Sequence, residues 1–404
     1  MNKLLTESRN NNFIITIATI LMIVFPILSR YSSIISYVTL PEFISFILLG
    51  YILIFDIKNI KINLNLLFFI LIIFLRMLLY LIFNEGREIF QVVGTSLRLM
   101  YVYFLLMVLG DNYFDKKLAE KVMINVTIIL SIYSIIQYVY AMKGVILTTY
   151  IPKLKIMQGM REFRNVDDIL REQMSYGLQF RPRSLLNEPA HFATYLLSGL
   201  TIILFTDEKL SFRKIIIALL FTVTCLLSRS STAIIMLFFI WFVYILKRIK
   251  TVSDAKRILS IVAIFAVFLF IYSIFNDFDI LNYFLVRTFG KSKSLAGIAN
   301  STRFVQLKMG FEDFDRFIDI FIGKSTVANS GYLPGFFRLI YYFGFIGFLS
   351  YILYIIEPSS DDSNLSRVMK LVFIIMNIGT EIIFGNFIFL YLPFIFCGKS
   401  SNEK

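Results

Sequence analysis

Apolar segments of about 17 to 25 residues recur from Phe13 to Phe396, each about long enough to cross the hydrocarbon core of a bilayer. This repeated length constrains the fold more than any motif, since a soluble core has no use for it. Phe (44), Tyr (22) and abundant Ile and Leu favour helices over a barrel, whose strands would show alternating segments of about ten residues. The expected class is an all-α polytopic integral membrane protein.

The spans are placed near Phe13 to Leu28, Ile34 to Phe55, Leu64 to Phe83, Gly94 to Leu109, Val122 to Met142, Pro189 to Phe205, Ile215 to Leu227, Thr232 to Leu246, Ile258 to Phe275 and Gly335 to Ile356. Two short ones, Val368 to Ile378 and Ile382 to Phe396, read as a hairpin about Gly379-Thr380-Glu381. The count is twelve, or eleven if that hairpin is re-entrant. The first span follows Lys3 and Arg9 without a small-residue cleavage site and reads as a retained anchor. Cys225 and Cys397 lie in apolar runs, which supports neither a disulfide framework nor a cysteine metal site.

Orientation follows from Lys and Arg in short connections. Lys58 and Lys61, then Lys116, Lys117 and Lys121, then Lys209, Arg213 and Lys214, then Lys247, Arg248, Lys250, Lys256 and Arg257 occupy every second connection. Both termini are therefore expected in the cytoplasm, with two larger loops outside, residues 143–188 and 276–334. The net charge of +13 is mostly this inside bias; spread over loops, it gives no reason to invoke nucleic acid.

The first outer loop has more basic than acidic residues and suits anions, a phosphorylated lipid among them, or simply touches anionic headgroups. It ends in Arg181-Pro182-Arg183-Ser184-Leu185-Leu186-Asn187-Glu188-Pro189-Ala190-His191, which holds the only histidine of the chain. Arginine forks bind phosphate and carboxylate bidentately, more strongly where water is partly excluded. Pro189 suits the first turn of the sixth span, placing Glu188 near the cap and His191 just inside. The positive helix end would keep Glu188 ionised and His191 neutral. The bland alternative is a capping Glu188 paired with Arg183 and a His191 bonded between helices.

In the second outer loop, Asn300-Ser301-Thr302-Arg303 starts a segment with Phe304, Leu307, Phe311, Phe314, Ile318 and Phe321 at helical spacing. One amphipathic helix is expected there, lying on the outer surface or capping the bundle, with Arg303 in its first turn. Arg76 and Arg98 lie within spans, where they can snorkel and read as structural. Ser228-Arg229-Ser230-Ser231-Thr232 is a turn of small hydroxyl residues that would let two helices approach and aim Arg229 outward.

Arg183-Ser184 with Glu188-Pro189-Ala190-His191-Phe192-Ala193, the Leu227–Thr232 turn, Arg303 after Asn300-Ser301, and Gly344-Phe345-Ile346-Gly347 together resemble the Wzy-type polysaccharide repeat-unit polymerases and the related O-antigen ligases. That resemblance implies a GT-C-like glycosyltransferase of the bacterial inner membrane acting on glycans carried by undecaprenyl pyrophosphate. It implies donor or acceptor binding by Arg183 and Arg303. Ligases of this group carry a histidine in the second loop where this chain has Asn329-Ser330-Gly331, which favours a polymerase. A chain-length regulator and a flippase of the same pathway are the implied partners.

The expected chemistry is direct, inverting displacement of pyrophosphate by an acceptor hydroxyl. Arg183, Arg303, Arg181 and Arg229 would stabilise the leaving charge, and Glu188 or His191 would take the proton. No metal or other cofactor is expected. The alternatives are a ligase-type transferase and a lipid-linked oligosaccharide flippase. A transporter should show broken helices and charge near the midplane, often in two related halves, whereas the sequence shows no internal repeat and its polar groups gather in the outer loops.

Overall fold

The computed structural model describes residues 2–83, 89–157, 180–207, 211–248, 302–312, 314, 316–324, 333–358 and 363–396. The regular structure among these residues is helical, with no strand. Helices α1 (Asn2–Leu28), α2 (Leu40–Phe55), α3 (Leu64–Phe83), α4 (Ile89–Leu105), α5 (Lys116–Met142), α6 (Pro189–Phe205), α7 (Phe212–Leu227) and α8 (Ser231–Arg248) come first. They are followed by α9 (Thr302–Glu312), α10 (Phe317–Ile322), α11 (Gly335–Ile356), α12 (Asn364–Gly379) and α13 (Leu392–Phe396). The expected span 258–275 and residues 276–301 of the second outer loop lie outside the described residues.

Among the described residues, four helical stretches are long and apolar enough to cross a membrane: Leu64–Phe83, Ile89–Gly110, Lys116–Met142 and Gly335–Ile356. In the second, α4 continues through a wider turn, Leu106–Gly110. Shorter apolar helices, α2 and α6 among them, pack with these four. The pattern of burial explains the arrangement. α3 buries only Leu66, Phe69, Ile72, Ile73 and Met77 and leaves Leu67, Phe68, Leu71 and Phe74 exposed. α6 instead buries every side chain from Phe192 to Phe205. An apolar helix covered all round is the centre of a bundle. Gly199 lets α5 come close: a Cβ there would stand 2.8 Å from Thr127 Oγ1.

The two ends of the bundle differ in chemistry. At one end Lys61 N donates to Asn112 Oδ1 (2.7 Å), Lys116 Nζ to Ser363 Oγ and Ser366 Oγ (both 3.0 Å), and Lys247 Nζ to Asn364 Oδ1 (3.2 Å). Asn63 and Asn65 both donate to Glu357 Oε2, at 3.0 and 3.2 Å. The lysine-bearing connections thus gather at one end, and the Arg181–His191 segment lies at the other.

Several elements depart from the sequence reading. α2 begins at Leu40, not Ile34, because Thr39 and Glu42 form a capping box that fixes its start. The stretch from Ile382 to Phe396 is not a helix: it descends through tight turns, Ile382–Phe384 and Asn386–Leu390, into α13. Its residues Ile388 to Ile395 are buried by neighbours, and Ser366 Oγ donates to Phe394 O at 2.8 Å. Irregular backbone at such depth is tolerated only inside protein.

The expected amphipathic helix is two helices, α9 and α10. The run of acids around Glu312 sits badly at a helix C-terminus, and the interruption turns Phe314 inward onto Tyr341 (5.7 Å). α11 is broken at Gly344 (φ 64°, ψ −171°), where the chain after α10 fits against it. A Cβ on Gly344 would lie 2.0 Å from Phe321 O, and one on Gly323 would lie 2.4 Å from Tyr342 C and O. Arg76 Nη2 donates to the carbonyls of Gly323 (2.7 Å) and Lys324 (2.5 Å), so this arginine stays inside and does not snorkel.

Candidate functional site

At the end away from the lysines, a cavity of about 370 Å³ is walled by Glu188 just before α6, by Ala190 and His191 of α6, by Thr95 and Arg98 of α4, and by Arg338 and Tyr342 of α11. Thr380, Glu381, Phe384, Asn386 and Phe387 close it from the final segment. Thr39, Glu188 and Arg338 place the N-terminal ends of three helices around one space, where positive dipole ends favour anions, although α2 is already capped by Thr39 and Glu42 and Gly335 N donates to Thr380 O (2.7 Å).

Each polar group is held in a recognisable way. Pro189 opens α6, and Glu188 precedes it in extended conformation (φ −134°, ψ 151°) without capping the helix through its side chain. Its carboxylate is exposed and has neither hydrogen bond nor ion pair among the described residues. The pair with Arg183 that the sequence also allowed is not formed. His191, one turn on, stacks on Phe387 with ring centroids 4.9 Å apart.

Arg98 forks onto Glu42, Nε to Oε1 at 2.8 Å and Nη2 to Oε2 at 3.1 Å. Glu42 also accepts from Thr39 N (2.8 Å), so one buried carboxylate ties α4 to the start of α2. Arg338 pairs with Glu381 and stands over the rings of Tyr342 (5.8 Å) and Phe384 (5.7 Å). Its Nε and the Oδ1 of Asn187 are buried without a hydrogen-bond partner among the described residues.

Of the remaining expected site residues, Arg181, Arg183 and Arg229 are not in the cavity wall. Arg183 is 8% exposed and its Nη1 donates to Asn187 O (2.6 Å), so it braces the backbone just before Glu188. Arg181 Nε donates to Ser228 O (3.2 Å), fastening this segment to the turn between α7 and α8. In that turn Arg229 adopts φ 50° and is 4% exposed, packed inside instead of aimed outward. Arg303 belongs to the first turn of α9; its side chain and residues 158–179 lie outside what the structure describes.

The segment from Arg183 to Leu186 is positioned by long-range bonds. Ser184 takes a left-handed φ of 54°, and Gln137 of α5 holds it there, donating from Nε2 to Ser184 O (3.1 Å) and accepting from Ser184 N (2.8 Å). Arg30, 1% exposed, donates from Nη1 to Leu185 O (3.1 Å) and to Thr149 O.

Sequence reasoning missed Arg338, Glu381 and the cavity role of Arg98. Arg338 is three residues past the start of the α11 helix, a position that disfavours a cation, and that signal was available. Chemically, the wall offers two arginines, each already paired with a carboxylate, and a Glu188 carboxylate without a partner among the described residues beside the His191 imidazole, in a space of the usual size for a small-molecule cleft, roughly 300–1,000 Å³. Comparison with protein-family models, with curated proteins and with solved structures finds no match for this chain.

Proposed function

We propose that this chain is a polysaccharide repeat-unit polymerase of the bacterial cytoplasmic membrane, with eleven or twelve crossings, both termini inside and the cavity at the outer face. It transfers a growing glycan from undecaprenyl pyrophosphate to a hydroxyl of a new lipid-linked repeat unit. The observation that carries this reading is the convergence of Glu188 and His191 with Arg98 and Arg338 around one cavity. The collection of lysines at the opposite end supports the orientation.

In the proposed reaction the acceptor oxygen bonds to the anomeric carbon as the bond from that carbon to the pyrophosphate oxygen breaks, inverting the centre. The acceptor proton passes to Glu188 or to the unprotonated ring of His191. Arg338 and Arg98, aided by the three helix ends, stabilise the charge on the departing pyrophosphate. Arg183 serves by holding the Asn187 backbone, and Arg181 by fastening the segment to the turn at Ser228. Purified protein in vesicles, given undecaprenyl-pyrophosphate repeat units from its own strain, should yield a ladder of chain lengths.

One observation favours a second reading. The break at Gly344, with Arg76, Asp319 and Lys324 beside it, is the kind of discontinuous helix that transporters use for substrates. A lipid-linked oligosaccharide flippase would move repeat units between vesicle leaflets and leave them one repeat long.

A further inference from the structure

The apolar run that starts at Ile34 reaches far enough to span a bilayer, yet its first residues are not helical. α2 has 16 residues, about 24 Å at 1.5 Å per residue, against a hydrocarbon core of about 30 Å. Ahead of it the chain makes an ordered turn: Ser33 N donates to Val38 O (2.9 Å), Val38 N to Ile35 O (3.0 Å) and Ile35 N to Ser33 Oγ (3.1 Å). The turn presents Ile34 (90% exposed), Ile35 (52%) and Tyr37 (81%) on its outside.

A second segment, more than a hundred residues away, is bonded to the base of this turn. Ser32 N donates to Lys155 O (2.8 Å), Met157 N to Arg30 O (3.0 Å) and Ile151 N to Tyr31 Oη (2.7 Å). Exposed Lys153 and Lys155 are thereby fixed beside the apolar tip. The tip stands only about three residues beyond Thr39, about 10 Å at most, so it stays within reach of the headgroup layer at the end of α2.

We infer that Ile34, Ile35 and Tyr37, flanked by Lys153 and Lys155, form an anchor that sits in the headgroup boundary of an anionic phospholipid leaflet. The apolar tip makes up the length that α2 lacks, Tyr37 has the amphipathic ring favoured at that depth, and the lysines complement lipid phosphate. Because Arg30 joins the base of the turn to Leu185 and Thr149, the anchor also ties the wall of the cavity to the membrane surface. This inference rests on the membrane reading above but not on the glycan chemistry.

The test uses the full chain with Trp241→Phe and Tyr37→Trp in vesicles containing phosphatidylglycerol and phosphatidylcholine, one or other brominated. Emission from the introduced indole should fall about twofold or more with brominated lipid and respond little to aqueous acrylamide. Brominated phosphatidylglycerol should quench more than brominated phosphatidylcholine, and the K153E/K155E variant should lose that preference, each lysine contributing about fivefold. If Trp241→Phe prevents insertion, the difference between Y37W and its parent gives the same readout. Quenching by acrylamide with none by bromine overturns the anchor and indicates a turn held in water to receive a protein partner. Flotation of the same vesicles shows whether the chain entered the bilayer, so failure of the anchor is distinguished from failure of the membrane reading; a ladder assay alongside reports on the polymerase separately.

Discussion

Gln137 grips the backbone of Ser184 by both ends of its amide, although 47 residues separate them. Both residues are fully buried, and the grip keeps Ser184 in a left-handed conformation one residue after Arg183. Gln137→Leu removes both bonds and leaves two backbone groups stranded. Each buried bond of this kind is worth about 1 kcal/mol, and a stranded partner costs about 1–3 more. The expected result is a clear fall in the midpoint of thermal unfolding in detergent, together with loss of any transfer activity. An unchanged midpoint would show that Ser184 is held by something else.

Gly344 and Gly323 should be irreplaceable, while Gly50 and Gly94 should not. An added Cβ meets backbone atoms at 2.0 Å and 2.4 Å at the first two, and nothing within 4 Å at the others. Positive φ adds about 1–2 kcal/mol to the cost of Ala at Gly344 and Gly323. Gly50→Ala and Gly94→Ala should be neutral or stabilising by up to about 1 kcal/mol. Unfolding midpoints of the four variants check this order.

Asp111 sets a pH dependence at the lysine-bearing end. Burial, and secondly the Glu357 carboxylate, push its carboxyl up to about 7 from an ordinary value of 3.8. The folded state therefore holds a proton that the unfolded chain releases. The stability this contributes is present in full below about 4 and lost as pH rises through about 7. Unfolding midpoints should fall between pH 5 and pH 8 more steeply in the parent than in Asp111→Asn. Equal slopes would show that Asp111 ionises normally.

Arg183 and Arg338 should separate bracing from chemistry. Arg183→Ala, which strands the Asn187 backbone, should lower the unfolding midpoint and activity together. Arg338→Ala should leave the fold nearly intact and reduce transfer about 100- to 1,000-fold, the usual effect of removing one charge-stabilising donor. Arg338→Lys, which keeps charge but loses the fork, should recover only part. Equal loss of stability in both would assign Arg338 to the scaffold.

Much of the helical framework was legible because hydrophobic length carries it. Leu64–Phe83, Pro189–Phe205 and Gly335–Ile356 are bounded in the structure where the apolar runs are bounded in sequence. The start of α2 was legible too, in Thr39-Leu40-Pro41-Glu42, but the apolar Ile34-Ile35 ahead of it outweighed that capping signal. The final descent was misread because its Gly385, Asn386 and Pro393 matter only when neighbours bury irregular backbone. At the site, Glu188 and His191 were legible from a helix start. Arg338 left a signal in its place at a helix start, but its meeting with Arg98 was not legible, since α4 and the start of α11 are more than two hundred residues apart and only packing brings them to one cavity.

The most direct test of the central claim is chain extension by purified, reconstituted protein on undecaprenyl-pyrophosphate repeat units, run for the parent, the Glu188→Gln, His191→Gln double variant and Arg338→Ala. The account predicts a ladder from the parent and material one repeat long from the two others, with all three inserted and folded. A ladder undiminished in both variants would contradict the claim that this cavity is where the glycan is transferred.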